Sequence, residues 1–136
     1  MTPALSLALQ LLIAVESNGN PRAFNAKEQA IGILQIRPIM VEDVNRILGE
    51  KKYEHSDAWE PKASVEMATI YLEHYGSRLG GEPSIRDYGL LWCAGPDGPK
   101  QATNATMEEY VCKLQGKAQE YMRYVKLDPS QWLARN

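Results

Sequence analysis

The chain has 136 residues, of which 44% are hydrophobic and 24% charged, so it is long enough to form one domain with its own core. Its formal net charge of −2 argues against a nucleic-acid-binding surface, which needs a basic stripe along the phosphate backbone. No apolar stretch approaches the roughly 20 residues of a membrane-spanning helix. The length predicts a single domain over residues 1–136, and we expect a monomer.

The first predicted element is a helix that begins at Thr2-Pro3, where a hydroxyl cap precedes a proline that fits the first turn. It carries one apolar stripe, formed by Leu5, Leu9 and Leu12, and Glu16 continues this stripe at the end of the helix. Apolar surroundings and the helix dipole both favour the protonated carboxyl group there. Glu16 is therefore a candidate general acid, and the alternative is a carboxylate that simply reaches solvent.

The next segment cannot continue this helix, because residues 17–21 (SNGNP) are all turn formers. A short apolar segment, Gly32–Ile36, follows and carries one amide, Gln35. We expect a short irregular or β-like loop region near residues 23–36.

Four more helices are predicted from capping residues and apolar spacing: Pro38 to a stop at Gly49, Pro61 to about Leu79, Ser84 to Ala94, and about Met107 to a point before Pro129. The apolar side of the second helix is predicted to contain Ile39, Val41, Val44, Ile47 and Leu48. The segment Lys51–Asp57 is predicted to be polar and irregular, and the segment Gly95–Thr106 is predicted to be a turn and a surface loop. The fold class is therefore mainly α, with about five helices.

The histidines and cysteines do not indicate a metal site. His55 lies in a polar segment and is expected to be solvated, and His74 has no ligand partner at zinc spacing. Cys93 and Cys112 are too few for a disulfide scaffold. We expect free thiols, and a disulfide between them is the alternative.

The segments ESNGNPRAFN and AIGILQI resemble the soluble lytic transglycosylase domain, whose pattern is roughly ESxxNPxAxS and then GAxGLMQ. The matching residues are Glu16, Ser17, Asn20, Pro21, Ala23, Ala30, Gly32 and Gln35. Three later blocks follow in the family's order: Glu60–Leu72 resembles DPxxNIxxGxxYL, Trp92–Pro96 resembles YNAGP, and Tyr110-Val111 resembles the final YV. The resemblance implies a lysozyme-like fold.

The resemblance also implies an enzyme that breaks the MurNAc–GlcNAc β-1,4 glycosidic bond of peptidoglycan without a cofactor. Most glycosidases use two carboxylates for such a cleavage. Lytic transglycosylases use one Glu, first as acid and then as base, while the 6-hydroxyl of the sugar closes to a 1,6-anhydromuramoyl product. Glu16 has the position of that residue. Other acidic residues are interpreted as surface charges: Glu28, Glu42, Asp43 and Asp97.

The resemblance identifies five substrate-binding candidates: Ser17, Asn25, Gln35, Trp92 and Tyr110. The Gln35 amide can bind sugar hydroxyl or acetamido groups, and the alternative is an amide that stabilises a turn. Asn25 stands where the family has serine, Trp92 where it has tyrosine and Cys93 where it has asparagine. Trp92 and Tyr110 are expected to line the groove that holds Glu16, although Trp92 can also be a core residue. Cys93 is interpreted as a packed thiol.

Two alternatives to a lytic transglycosylase remain: a lysozyme-type hydrolase of the same bond, and a catalytically silent module that binds glycan strands or has a structural role. The presence of Glu16 favours an enzyme. The implied site of action is the periplasm, the cell wall or the extracellular space. The apolar run Leu5–Val15 has no basic residues before it, so it is interpreted as a helix and not as an export leader. A phage lysin would reach the wall by another route.

Overall fold

The computed structural model describes residues 1–101 and 104–122. Within these residues the chain forms five α-helices: α1 (Pro3–Glu16), α2 (Pro38–Leu48), α3 (Pro61–Gly76), α4 (Ile85–Ala94) and α5 (Ala105–Met122). Two short strands, β1 (Phe24–Asn25) and β2 (Ala30–Ile31), pair antiparallel. The predicted mainly helical class and the β-like region near residues 23–36 are therefore confirmed.

The helix ends follow local capping chemistry. Thr2 caps α1, since its hydroxyl oxygen accepts from the Leu5 N–H at 3.1 Å. Ser84 and Asp87 form a reciprocal capping box at the start of α4, with hydrogen bonds of 3.1 and 2.9 Å. Gly49 ends α2 in the left-handed conformation at φ 73°. These ends lie where the sequence predicts them.

Helix α1 is central because α3, α4 and α5 all contact it. Its side chains Leu5, Ala8 and Leu12 are at most 1% exposed. Complete burial of a leucine side chain stabilises a fold by about 1.5–3 kcal/mol. The core therefore holds α1 as far as Leu12, and Glu16 is the last residue of this helix, one turn further on.

The apolar side of α2 differs from the prediction. Met40, Val41 and Val44 are buried, whereas Ile39 is 66% exposed and Leu48 is 38% exposed. Residues 40, 41 and 44 lie on one face at helical spacing, and α2 uses this face to pack on α3. The inclusion of Ile39 and Leu48 in the predicted face was wrong because an apolar residue type does not by itself define the buried side.

Helix α3 ends at Gly76 and not at the predicted Leu79. The next residues form turns, in which the Leu79 N–H donates to the Gly76 carbonyl at 3.2 Å. Gly76 lies against the next segment, since a Cβ placed there would lie 3.1 Å from Pro83 and 3.2 Å from Tyr88. Leu79 is still buried, at 8% exposure, so its apolar role is retained outside the helix.

Short 3-10 helices, His55–Trp59 and Gly98–Lys100, overlap the two segments that were predicted to be irregular. His55 is not simply solvated: its Nε2 lies 2.8 Å from the Ile36 carbonyl oxygen, which joins the first 3-10 helix to the segment after β2. Helix α5 begins two residues before the predicted Met107. Its predicted end before Pro129 lies outside the described residues.

Cys93 and Cys112 are free thiols, as expected. Over residues 1–101 and 104–122, no helix combines the length and apolar character needed to cross a bilayer. In the same part of the chain, no three His, Cys, Asp or Glu residues are grouped closely enough to hold a metal ion.

Candidate active site

A cavity of about 440 Å³ lies where the end of α1 meets the β1–β2 region, α4 and α5. Five of the six predicted site residues line it: Glu16, Asn25, Gln35, Trp92 and Tyr110. These residues come from four separate parts of the chain, so only the folded structure brings them together. We call this space the Glu16 cavity.

Glu16 is half-buried in this cavity, and its Oε1 accepts a hydrogen bond from the Tyr110 hydroxyl at 3.2 Å. Burial raises its pKa from 4.5 to about 7 because the charged form is poorly solvated. The Tyr110 hydrogen bond and the nearby Arg37 act in the opposite direction. Near neutral pH the carboxyl group is therefore present in both protonation states, as an acid–base catalyst requires.

Tyr110 reaches Glu16 because α5 packs against both α1 and α4. Burial and the adjacent Glu16 both raise the pKa of Tyr110, so its hydroxyl keeps its proton and remains a donor. Thr106 and Lys113 also line the cavity, four residues before and three residues after Tyr110. Sequence reasoning missed these two residues, although helical spacing from Tyr110 could have found them.

Gln35 stabilises a turn and also lies at the wall of the Glu16 cavity, and its contact with a sugar stays a prediction. Its side-chain Nε2 donates to the Gly32 carbonyl at 3.1 Å, so the amide stabilises a turn, and its side chain also lines the cavity. Its φ is 50°, a left-handed conformation that costs a non-glycine residue about 1 kcal/mol or more. The surrounding contacts therefore hold Gln35 in one orientation at the cavity wall.

The side chains of Asn25 and Ser17 both form hydrogen bonds with backbone groups of the segments next to Glu16. The Asn25 Oδ1 accepts from the Lys27 N–H at 3.1 Å, and this exposed side chain lines the cavity. The Ser17 hydroxyl donates to the Ile33 carbonyl at 2.7 Å and accepts from the Gly19 N–H at 3.1 Å. Ser17 thus ties the end of α1 to the segment after β2. Its direct contact with a substrate stays a prediction.

Trp92 lines the cavity but is only 4% exposed, and its ring packs edge-on against Tyr71 with centroids 5.7 Å apart. Trp92 is therefore a core residue that also lies at the cavity wall, so it fits both positions that were considered for it. Cys93 is half-buried beside it, and burial raises the pKa of its thiol to about 11. Cys93 is thus a neutral, packed thiol, as interpreted.

Two more carboxylates line the Glu16 cavity, Glu28 and Glu109, and Glu109 pairs with Lys113 at 3.5 Å. Glu28 is exposed, as predicted for a surface charge, but it faces the site. Asp43 is not a simple surface charge, because it accepts a hydrogen bond of 2.6 Å from the Tyr75 hydroxyl.

Comparison with known protein families matches residues 4–108, more than half of the chain, to the transglycosylase SLT domain. The matched region contains Glu16 and the cavity walls that α1, the β1–β2 region and α4 supply. No curated protein and no solved structure matches the chain.

Proposed function

Because the chain belongs to the transglycosylase SLT domain family, we propose that it cleaves the MurNAc–GlcNAc β-1,4 bond of peptidoglycan with Glu16 as its only acid–base catalyst. Membership of this family supports a function like that of lytic transglycosylases, which act on peptidoglycan, a polymer outside the cytoplasm. The observation that carries the proposal is Glu16 itself. It is the last residue of a helix that packs in the core, and it lies half-buried in a cavity with its pKa raised to about 7.

In the first step, protonated Glu16 donates its proton to the glycosidic oxygen as the bond from that oxygen to the anomeric carbon breaks. The sugar then has oxocarbenium character, and Glu16 is ionised. The Tyr110 hydroxyl, which hydrogen-bonds to Glu16, stabilises this carboxylate as it forms.

In the second step, ionised Glu16 removes the proton of the 6-hydroxyl of the muramoyl sugar. The oxygen of that hydroxyl forms a bond to the anomeric carbon, which closes the 1,6-anhydro ring and returns Glu16 to its protonated form. A pKa of about 7 suits both steps, because neither protonation state is strongly disfavoured at neutral pH.

The other cavity residues would hold the sugar while this happens. Gln35 and Asn25 offer amides to hydroxyl or acetamido groups, and Trp92 offers an apolar edge. Ser17 would act through the backbone that it positions. We further propose that residues 1–136 form one monomeric catalytic domain that acts in the periplasm, the cell wall or the extracellular space.

A lysozyme-type hydrolase is the second candidate function, and Glu28 and Glu109 are the observation in its favour. Both carboxylates line the cavity, and either could activate a water molecule in place of the internal hydroxyl. A silent glycan-binding module is less favoured, because it would have no need of a half-buried carboxyl group with a raised pKa.

The proposal is tested by incubating the protein with purified, insoluble peptidoglycan and measuring soluble fragments that carry newly formed muramoyl ends. Time-dependent release of these fragments is expected. Binding to peptidoglycan with no new muramoyl ends would contradict enzymatic function and favour the silent module.

Changing Tyr110 to Phe is expected to move the pH dependence of kcat/KM. Protonated Glu16 is the reactive form, so kcat/KM should fall as pH rises through about 7 in the unmodified enzyme. The Tyr110 hydrogen bond favours the ionised form, so its loss should raise the pKa of Glu16 and move this fall to higher pH. We expect a displacement of about half a pH unit to one unit, with a loss of activity of up to about tenfold.

The matched control is Tyr121→Phe on the same helix, since the Tyr121 hydroxyl donates to Gln10 at 2.8 Å and lines no part of the Glu16 cavity. Its pH profile should equal that of the unmodified enzyme. An unchanged profile in Tyr110→Phe would contradict the hydrogen bond's role in setting the pKa of Glu16.

A further inference from the structure

Residues 32–37, which join β2 to α2, supply two polar side chains to the wall of the Glu16 cavity. These side chains are Gln35 and Arg37. Ile36 lies between them, is only 1% exposed and belongs to the hydrophobic core. The position of the Ile36 backbone therefore sets where both polar side chains lie along the wall.

The carbonyl oxygen of Ile36 has two hydrogen-bond partners. The first is local, because the N–H of Ile31 donates to it at 3.0 Å. The second comes from a distant segment, since Nε2 of His55 lies 2.8 Å from the same oxygen. A backbone carbonyl can only accept, so Nε2 must carry a proton and donate it to this bond. The His55 ring thus fastens the cavity wall to the 3-10 helix His55–Trp59.

This 3-10 helix is itself held in place at both ends. Glu54 and Asp57 form a reciprocal capping box at its start, in which the Glu54 N–H donates to the Asp57 carboxylate at 2.8 Å. Near its end, the buried Ala58 carbonyl accepts from the Ser64 hydroxyl of α3 at 2.7 Å. His55 therefore donates from a fixed support, so its bond restrains the Ile36 carbonyl.

Gln35 depends on such a restraint because its backbone is strained. Its φ of 50° is a conformation that a non-glycine residue keeps only when the surrounding structure holds it. One support is local, since the backbone N–H and the side-chain amide of Gln35 both donate to the Gly32 carbonyl at 3.1 Å. The other support is the next residue, Ile36, which the His55 bond holds.

We propose that His55 is a positioning residue for the Glu16 cavity: its Nε2–H holds the Ile36 carbonyl and thereby keeps Gln35 and Arg37 in place for the glycan strand. His55 is not among the described residues that line this cavity, so it acts through Ile36 and does not touch the sugar. This inference rests on the proposed function, because it takes a glycan strand as the ligand of the Glu16 cavity.

The test compares two variants that differ in where they place a side-chain donor. Nε2 of a glutamine lies about as far along the side chain as Nε2 of histidine, so His55→Gln can still donate to the Ile36 carbonyl. The amide of His55→Asn ends nearer the backbone, at the place of the ring Nδ1, and does not reach that oxygen. For each variant, kcat and KM are measured on soluble glycan strands from the rate at which new muramoyl ends form.

We expect His55→Asn to raise KM roughly tenfold and to change kcat by less than about twofold, because groups that hold the sugar bind it alike in the ground state and the transition state. His55→Gln should keep KM within about threefold of the unmodified value. The matched control is His74→Asn. The His74 ring packs against Tyr75 with centroids 4.8 Å apart, and His74 is not among the described residues that line the Glu16 cavity, so KM should not change.

A purely structural role for His55 would give a different result. Loss of folded protein lowers the measured kcat and leaves KM unchanged, so that outcome in His55→Asn would overturn the inference. Equal KM values in His55→Asn and His55→Gln would also overturn it. Nitrogen-15 NMR of the unmodified protein is a second measurement, which holds even if a variant does not fold. Nε2 of the neutral His55 ring should carry the proton, and a proton on Nδ1 alone would exclude the bond.

The proposed function fails separately, if the unmodified protein binds glycan strands but does not cut them. The same variants are then compared by calorimetry, where a roughly tenfold loss of affinity in His55→Asn and not in His55→Gln would still support the positioning role. Absence of strand binding by the unmodified protein would overturn both.

Discussion

Glu16→Gln is expected to lower the cleavage of purified peptidoglycan by at least about a hundredfold. Glutamine keeps the size of the side chain and can still accept the Tyr110 hydrogen bond, but it has no proton to transfer. Both proposed steps pass through this one carboxyl group, so neither can proceed in the variant. The measurement is the initial rate of release of new muramoyl ends at pH 6, where the Glu16 carboxyl is mostly protonated.

The folding of this variant must also be measured, because a misfolded protein would be inactive too. Its free energy of unfolding is therefore compared with that of the unmodified protein. The pKa of Glu16 is raised in the folded state, so folding is favoured while the group is protonated and disfavoured as pH rises through about 7. Glu16→Gln should therefore be as stable as the unmodified protein at pH 4 and more stable at pH 8, by at most about 3 kcal/mol. A folded and fully active Glu16→Gln protein would show that another residue carries the chemistry.

Gly32→Ala is expected to lower the free energy of unfolding strongly. Among the described glycines, we expect the replacement of Gly32 by alanine to be the most destabilising. Gly32 has φ 79°, and a Cβ there would lie 2.2 Å from the Ala58 carbonyl oxygen. That oxygen already accepts from the Ser64 hydroxyl at 2.7 Å, so it cannot move without losing a buried hydrogen bond. Left-handed strain and overpacking together should lower the free energy of unfolding by about 3 kcal/mol or more. Urea denaturation measures the change.

Gly49→Ala is the matched control for this effect. Gly49 has φ 73°, but no atom outside its neighbours lies within 4 Å of the position of its Cβ. Only the left-handed strain remains, so the expected loss is about 1 kcal/mol. Equal losses in the two variants would contradict the close approach at Gly32. The close packing of Gly32 against Ala58 matters for function, because the Gly32 carbonyl accepts a hydrogen bond from the Gln35 amide at the cavity wall.

The parts of the fold that sequence predicts well depend on local chemistry. Thr2-Pro3, Gly49 and the pair Ser84 and Asp87 define helix ends through bonds within one turn of chain. Glu16 was identified in the same way, from its place at the end of an apolar stripe. Local features such as these are present in the sequence before any tertiary contact forms.

The predictions that failed depend on contacts between distant segments. Ile39 is apolar but exposed, since the packing of α2 on α3 selects a different face. His55 is polar but bound to the Ile36 carbonyl, which lies 19 positions earlier in the chain. Arg37, the residue before α2, also lines the Glu16 cavity, and no local pattern marks it as a neighbour of Glu16. Tertiary structure is needed for each of these observations.

The most direct test is the chemical form of the new muramoyl ends that the unmodified protein produces from purified peptidoglycan in water enriched in heavy oxygen. Internal capture by the 6-hydroxyl adds no water, so mass spectrometry should find 1,6-anhydro ends that are lighter by one water than reducing ends and carry no heavy oxygen. A lysozyme-type hydrolase would instead produce reducing ends that contain the heavy isotope. Reducing ends alone would contradict the transglycosylase reaction and would leave Glu16 as the acid of a hydrolase.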